Sequence, residues 1–276
     1  MTSPCEVHIY SRNQTKAKTV AKKILMMSKM LEKKYNFYNP TSYLSSLNKR
    51  QENKLDYQTK ELLNRAKIFY KKTNTIFDIT MGTLVNSRKL NSLEAIKEEQ
   101  ERLKSFIGAK HFTIKKDKLY FDNPYTLIDL GGFVKEFAVD KAIAILKKEK
   151  IESALVNFGG DIYALGLKPN GNPFRIGIKN PKNPQEYITH LEITNQALTT
   201  SASYERNHNV EGEELSHIIS HETTLQKEII SSTVISSTVV ESGVYSTSLM
   251  IEPTLPCKLQ RLLIDKELNL LITNQP

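Results

Sequence analysis

Apolar and polar residues alternate from the start of the chain. Cys5, Val7 and Ile9 are set against Glu6, His8 and Tyr10, the period of a first strand. Over 14–34 the period becomes helical, with Val20, Ile24, Met27, Met30 and Leu31 on one face and lysines opposite. A polar loop containing Pro40 follows, and a second helix over 57–72 directs Leu62, Leu63, Ala66 and Tyr70 inward. Ser92 opens a third helix, because its short side chain can accept an orphan backbone N–H. From about residue 111 short β-type runs appear at 111–115, 118–121 and 125–129. One helix follows over 134–149, with the stripe Val134, Ala138, Ala142 and Ile145 flanked by Phe137 and Leu146. Alternating segments then run at 153–158, 161–166, 174–179 and 188–194. The pentapeptide at 230–234, Ile-Ser-Ser-Thr-Val, recurs at once over 235–239. It is too short for a solenoid unit and reads as a strand and its continuation. No Pro- or Gly-rich linker divides the chain. The pattern predicts one α+β domain over 1–276, with antiparallel strands predominating and helices packed outside.

The length of 276 residues and 39% hydrophobic content fit a globular fold and exclude collagen-like or wholly disordered chains. Net charge is +9, unevenly placed: residues 1–110 carry 22 Lys and Arg against 10 Asp and Glu. That asymmetry favours anionic partners, or simply solvated lysine-rich helix faces. Recognisable RNA- or DNA-binding motifs and zinc fingers are missing, so nucleic acid is not an expected partner. Two cysteines, Cys5 and Cys257, make no disulfide framework. The first residues show neither a basic, apolar signal segment nor a lipobox, so the expectation is a cytoplasmic protein. An exported lipoprotein whose signal is missing from this chain is the alternative.

Four segments carry candidate chemistry. In the first, an apolar strand ends in Asp129, then Gly131 and Gly132, and a helix begins with Lys135 in its first turn. Glycines let a backbone approach a ligand, and helix N–H groups with a lysine favour phosphate; a plain strand–helix turn looks similar. In the second, Asn157, Gly159, Gly160 and Asp161 lie between apolar runs, as a junction under a pocket or as a hairpin turn. The third is the hydroxyl cluster Thr199, Thr200, Ser201 and Ser203 before Glu205 and Arg206, which also fits a polar strand end. In the fourth, His217 and His221 would share one face of a strand. That is the spacing of a metal pair, but no third ligand accompanies it; His217 alone as a general base, or as a core histidine, are the other readings.

Taken in order, these segments resemble the ApbE family of FAD:protein FMN transferases. Tyr38-Asn39-Pro40-Thr41-Ser42-Tyr43-Leu44-Ser45-Ser46-Leu47-Asn48 is similar to the family's y-x-P-x-S-x-L-S-x-L-N. Phe77-Asp78-Ile79-Thr80-Met81-Gly82 is similar to F-D-P-T-x-G. Asp129 to Asp140 is similar to D-L-G-G-I-A-K-G-Y-A-V-D, the most specific of the segments. Asn157 to Asp161 resembles N-x-G-G-D, Thr200 to Arg206 resembles T-S-G-x-Y-E-R, and His217-Ile218-Ile219 resembles the H-I-I before D-P-x-T-G.

The resemblance implies an ApbE-like (T-fold-like) antiparallel α+β fold that binds FAD with magnesium. It implies transfer of FMN to a threonine of an acceptor protein, a redox subunit, with release of AMP. It places FAD against Tyr38, Asp129, Gly131, Gly132, Lys135, Asn157, Gly159, Gly160, Asp161, Thr200 and Ser201. Tyr38 would stack on the isoalloxazine ring, Lys135 would hold phosphate, and His217 would be the general base. Magnesium would take the Thr247 hydroxyl and the Val134 carbonyl.

The chain also departs from the family pattern. Ser220 stands where D-P-x-T-G begins, and Thr200-Ser201-Ala202 replaces T-S-G. Glu136 follows Lys135 where the family has glycine, and Gly243 replaces the aspartate of A-D-A-L-[AS]-T. A hard cation that loses its carboxylate binds more weakly unless another acid, Glu241, Glu222 or Glu136, replaces it. Weakened transfer, or a relative that binds flavin or a partner without transfer, is the expectation that follows.

Overall fold

A computed structural model describes residues 3–203, 207–216 and 229–273. Most of its longer helices start where a short polar side chain takes a backbone N–H that would otherwise lack a partner. After β1 (Cys5–Ile9), Asn13 caps α1 (Gln14–Tyr35), Ser42 caps α2 (Tyr43–Asn48) and Asp56 caps α3 (Tyr57–Lys72). The short α4 (Gly82–Val85) leads to α5 (Leu93–Lys104), capped by Ser92 as the sequence predicts. A hairpin of β2 (Phe112–Lys115) and β3 (Lys118–Phe121) precedes α6 (Gly131–Lys148). Then come β4 (Ala154–Phe158), β5 (Asp161–Leu165), β6 (Phe174–Asn180), β7 (Asn183–Ile193) and β8 (Gln196–Ala202). The chain continues through β9 (Asn207–Val210), β10 (Glu213–Ser216) and β11 (Ile229–Ser236), and Thr238 caps α7 (Val239–Ile251). The described chain closes with β12 (Gln260–Asp265) and β13 (Leu270–Thr273).

The main sheet runs β1-β4-β5-β8-β11-β12-β13, and every neighbouring pair is antiparallel. Its pleat sends alternate residues to two different cores. Ala154, Val156, Phe158, Tyr163, Leu165 and Ala197 pack with the buried faces of α1, α6 and α7. Ile162, Ala164, Leu198, Ile235, Leu262 and Ile264 pack instead with Phe174, Ile176, Ile178 and Ile193 of the β6–β7 hairpin. Asp161 and Thr199 are paired in register on neighbouring strands and share the face that α6 and α7 cover.

Three local expectations are corrected. Met30 is 65% exposed, while Ser28 is buried; the α1 stripe is Val20, Ile24, Ser28, Leu31 and Tyr35. The segment 125–129 is not a strand, because residues from elsewhere take its backbone groups. Asn48 bonds both N–H and C=O of Ile128, Thr83 Oγ1 accepts from Leu127 N, Arg50 donates to Thr126 O, and Ile79 O accepts from Asp129 N. Gly82 makes this possible: a Cβ there would stand 2.8 Å from Leu127 O and 2.9 Å from Asp129 N. The two pentapeptides also differ. The first lies in β11, whereas the second supplies the last two residues of that strand, then the Thr238 cap and the first residue of α7.

Candidate active site

The hairpin between β4 and β5 closes over two residues, with Phe158 opposite Asp161. Gly159 and Gly160 adopt φ of +60° and +93°, which only glycine takes without strain and which suits the twist of a two-residue hairpin. Asn157 Oδ1 accepts from Gly160 N at 2.9 Å and holds the turn. The hairpin reading therefore holds, and the turn also delivers Asp161, buried, to the start of α6.

There Lys135 Nζ lies 2.7 Å from Asp161 Oδ2 and 3.5 Å from the Gly159 carbonyl. The lysine side chain is 18% exposed and the aspartate 3%, so this pair is shielded from water and held in one geometry. Ahead of it Gly131 and Gly132 are exposed, and a side chain at 132 would meet nothing within 4 Å. The backbone at this helix start is open to a ligand. Asp129 Oδ1 accepts from Gly131 N at 2.8 Å and fixes the turn; burial pushes its carboxyl up, against that hydrogen bond.

The next residue, Glu136, faces the protein interior and is 6% exposed. Burial, then the nearby Asp161 charge, drive its carboxyl well above the usual range, against the pull of Lys135. Its Oε2 has no hydrogen-bond partner among the described residues. One turn further along α6, Asp140 accepts from Val239 N at 2.8 Å and Val240 N at 3.1 Å, so the last acid of this motif caps α7.

Opposite Glu136, α7 and the sheet meet through hydroxyls. Thr199 Oγ1 is 2.9 Å from Ser242 Oγ, and Ser201 Oγ is 2.9 Å from Ser246 Oγ and 3.1 Å from Thr247 Oγ1. Ser232 Oγ, on the strand beside Ser201, is buried and unpartnered among the described residues. The pleat separates Thr200 from this row: its hydroxyl bonds Thr233, 2.8 Å away, on the opposite face from Ser201.

Tyr38 is 70% exposed on a loop built by its own motif. Ser42 Oγ donates to Asn36 O, Ser45 Oγ donates to Asn39 O, and Asn39 Oδ1 accepts from Thr41 N. The ring meets Phe37 edge-on at 5.5 Å and interacts with Arg88, whose guanidinium is lowered in pKa by burial.

The structure thus brings Gly131, Gly132, Val134, Lys135, Gly159, Gly160, Asp161, Ser201 and Thr247 into connected elements. His217 lies outside the described residues, as do Tyr204, Glu205, Arg206, Ser220, His221 and Glu222. Glu241 lines a separate cavity of about 600 Å³ with Asn195, Gln196, Ser236, Ser237 and Gln260. Among the described residues no group of three or more His, Cys, Asp or Glu is placed to hold a metal by itself. Arg88, Ser242 and Ser246 are the additions that sequence reasoning missed as site residues. The two serines carried a signal in their spacing, four apart on one helix, which puts them on one face.

Comparison with known proteins gives a consistent result. A 28% identical protein from Escherichia coli K12, named FAD:protein FMN transferase, matches over 65% of this chain and 55% of its own length. The match therefore spans about half of that relative. A protein of the same name from Vibrio cholerae is 26% identical over 85% of this chain and 74% of its own. The crystal structure of an ApbE protein from Thermotoga maritima superposes with a TM-score of 0.87, at 24% identity, covering 98% of this chain and 94% of that one. The flavin transferase ApbE from Vibrio cholerae superposes with a TM-score of 0.83, also at 24% identity, over 100% and 94%. Both establish the antiparallel α+β fold. The sequence profile of the ApbE family matches residues 1–262, and this chain belongs to the ApbE family.

Proposed function

We propose that this protein is an FAD:protein FMN transferase. The observation that carries the reading is the shielded Lys135–Asp161 pair directly behind the open Gly131–Gly132 helix start, in a chain of this family. A pyrophosphate laid across 131–135 would meet backbone N–H groups and one ammonium, the donors that hold phosphate at a helix start. Tyr38, exposed beside Arg88, would supply an aromatic face to the flavin.

In the proposed step the hydroxyl oxygen of an acceptor threonine forms a bond to the FMN phosphorus. The bond from that phosphorus to the bridging oxygen breaks, AMP leaves with the bond electrons, and the hydroxyl proton passes to a base, the role read for His217. Lys135 orients the phosphates and offsets charge developing on the leaving group. Magnesium, when bound, would add charge neutralisation on the same oxygens. The residues present suit a hard cation: Thr247 offers a hydroxyl, Val134 a carbonyl, and Glu136 a buried carboxylate oxygen without a partner among the described residues. The acceptor is read as a redox subunit bearing the target threonine.

The test supplies FAD, magnesium and a threonine-bearing acceptor protein, and follows released AMP together with flavin fluorescence retained on the denatured acceptor. Both signals together support transfer. Flavin bound without AMP release supports a non-transferring relative, the reading favoured by the glycine at 243. Neither bound flavin nor AMP refutes both.

A further inference from the structure

Gly243 looks like a loss when the sequence is read alone, because a carboxylate of the metal motif is gone. The fold shows what stands in its place. A Cβ built on Gly243 would lie 2.6 Å from Glu136 Cγ and 3.3 Å from both Cδ and Oε1 of the same residue. The Glu136 side chain therefore fills the space in front of α7 that a side chain at 243 would use. The two departures, glycine to Glu136 on one helix and aspartate to Gly243 on the facing one, are sterically complementary. With Glu136 in this position, only glycine fits at 243 without a shift.

We propose that Glu136 is the carboxylate ligand of a divalent cation held between the start of α6 and α7. The cation rests on the reading given above only for its use; the site itself rests on the residues. Glu136 is only 6% exposed, and its Oε2 has no partner among the described residues. The nearest ammonium, on Lys135, already stands 2.7 Å from Asp161. A carboxyl in such surroundings is neutralised by a proton or by a bound cation, and a cation that takes the unpartnered oxygen displaces the proton. Thr247 lies one helical turn beyond Gly243 on the same side of α7, and its hydroxyl stands 3.1 Å from Ser201 Oγ. Carboxylate, hydroxyls and backbone carbonyl are the hard oxygen donors that magnesium or manganese takes, with water completing the shell. Glu241, on a different side of α7, lines another cavity and does not fill this role.

The test measures Mn²⁺ binding to the full chain without FAD, by the loss of the free-ion electron paramagnetic resonance signal and by the metal-induced rise in melting temperature. The unmodified protein is expected to bind one ion. Glu136→Gln, which keeps shape and removes charge, should weaken binding about tenfold or more and abolish the metal-induced rise. The double variant Glu136→Gly with Gly243→Asp, which moves the carboxylate back to α7, should recover affinity to within about threefold. Gly243→Asp alone should not improve binding, because the two side chains compete for one space. No Mn²⁺ binding by the folded wild-type protein, or equal binding by Glu136→Gln, would overturn the assignment. If Glu136→Gln fails to fold, the double variant decides: failure of a folded double variant to bind also overturns it. These readouts are independent of transfer. Glu136-dependent Mn²⁺ binding without AMP release would sink the proposed function and leave the site standing.

Discussion

The complementarity of positions 136 and 243 predicts a steric coupling that can be measured without any ligand. Consider Gly243→Ala. Non-bonded carbons rest at about 3.5–4.0 Å, and the new methyl would stand 2.6 Å from Glu136 Cγ, an overlap of roughly 1 Å. The obstacle is the middle of a side chain that is 6% exposed, so it cannot swing into solvent. Relief requires a poorer rotamer of Glu136 or a small separation of α6 from α7. Overpacking of this kind costs about 1–3 kcal/mol, and alanine's helix preference over glycine returns about 1 kcal/mol. The net loss is about 1 kcal/mol, a fall of about 2–4 °C in melting temperature for a chain of this size. In a Glu136→Ala background the obstacle is gone, and the same Gly243→Ala change should raise the melting temperature by a similar amount. The assay is a thermal melt of the four proteins of this cycle in chelator-treated buffer, with a coupling of about 2 kcal/mol expected. Equal shifts in both backgrounds would show that the helices do not meet as described.

Four further outcomes are expected. Lys135→Met should destabilise by about 3 kcal/mol in a denaturant titration, because it leaves Asp161 buried beside Glu136 without a cation; a loss below 1 kcal/mol would mean that water reaches the pair. Asp140→Ala should cost about 1–2 kcal/mol, by removing the acceptor of two N–H groups at the start of α7, and amide exchange at Val239 and Val240 should accelerate first. Asp56→Ala should cost about 1 kcal/mol at neutral pH and flatten the acid limb of the stability curve. Burial favours the neutral form of that carboxyl, but Lys34 at 2.5 Å and the Thr59 N–H and hydroxyl hold its pKa below the usual 3.8; the stability it adds is present above 3.8 and is lost as pH falls through the lower, folded value. Tyr38→Ala should weaken FAD binding by about 1 kcal/mol, roughly fivefold, in a fluorescence titration, and unchanged affinity would remove Tyr38 from the flavin site.

Local chemistry was legible in the sequence wherever one segment contains both partners of an interaction. Ser92 caps α5 because the N–H it accepts belongs to Ala95, three residues on. The helix over 57–72 has the bounds its periodicity gives. The hairpin at Gly159 and Gly160 follows from two glycines between alternating runs, and the double glycine before Lys135 marks a helix start. In each case the determining forces act within a few residues, through hydrogen bonds or backbone sterics that residue type fixes.

Tertiary structure decided what depends on partners distant in the chain. The run 125–129 has the composition of a strand, yet Asn48, Arg50, Ile79 and Thr83 take its backbone groups, so it joins no sheet. Met30 and Ser28 are close on one helix, and only the packing of α1 selects which is covered. Identical pentapeptides at 230–234 and 235–239 diverge because β11 runs out of paired length within the second, and Asp140 then anchors the N–H groups of Val239 and Val240 at the new helix start. The same holds for the site. Sequence determined which residues could carry charge or a hydroxyl, and it marked Gly243 as a missing acid. Only the fold placed Glu136 against that glycine, because burial, unlike residue type, is set by whatever packs on the other side.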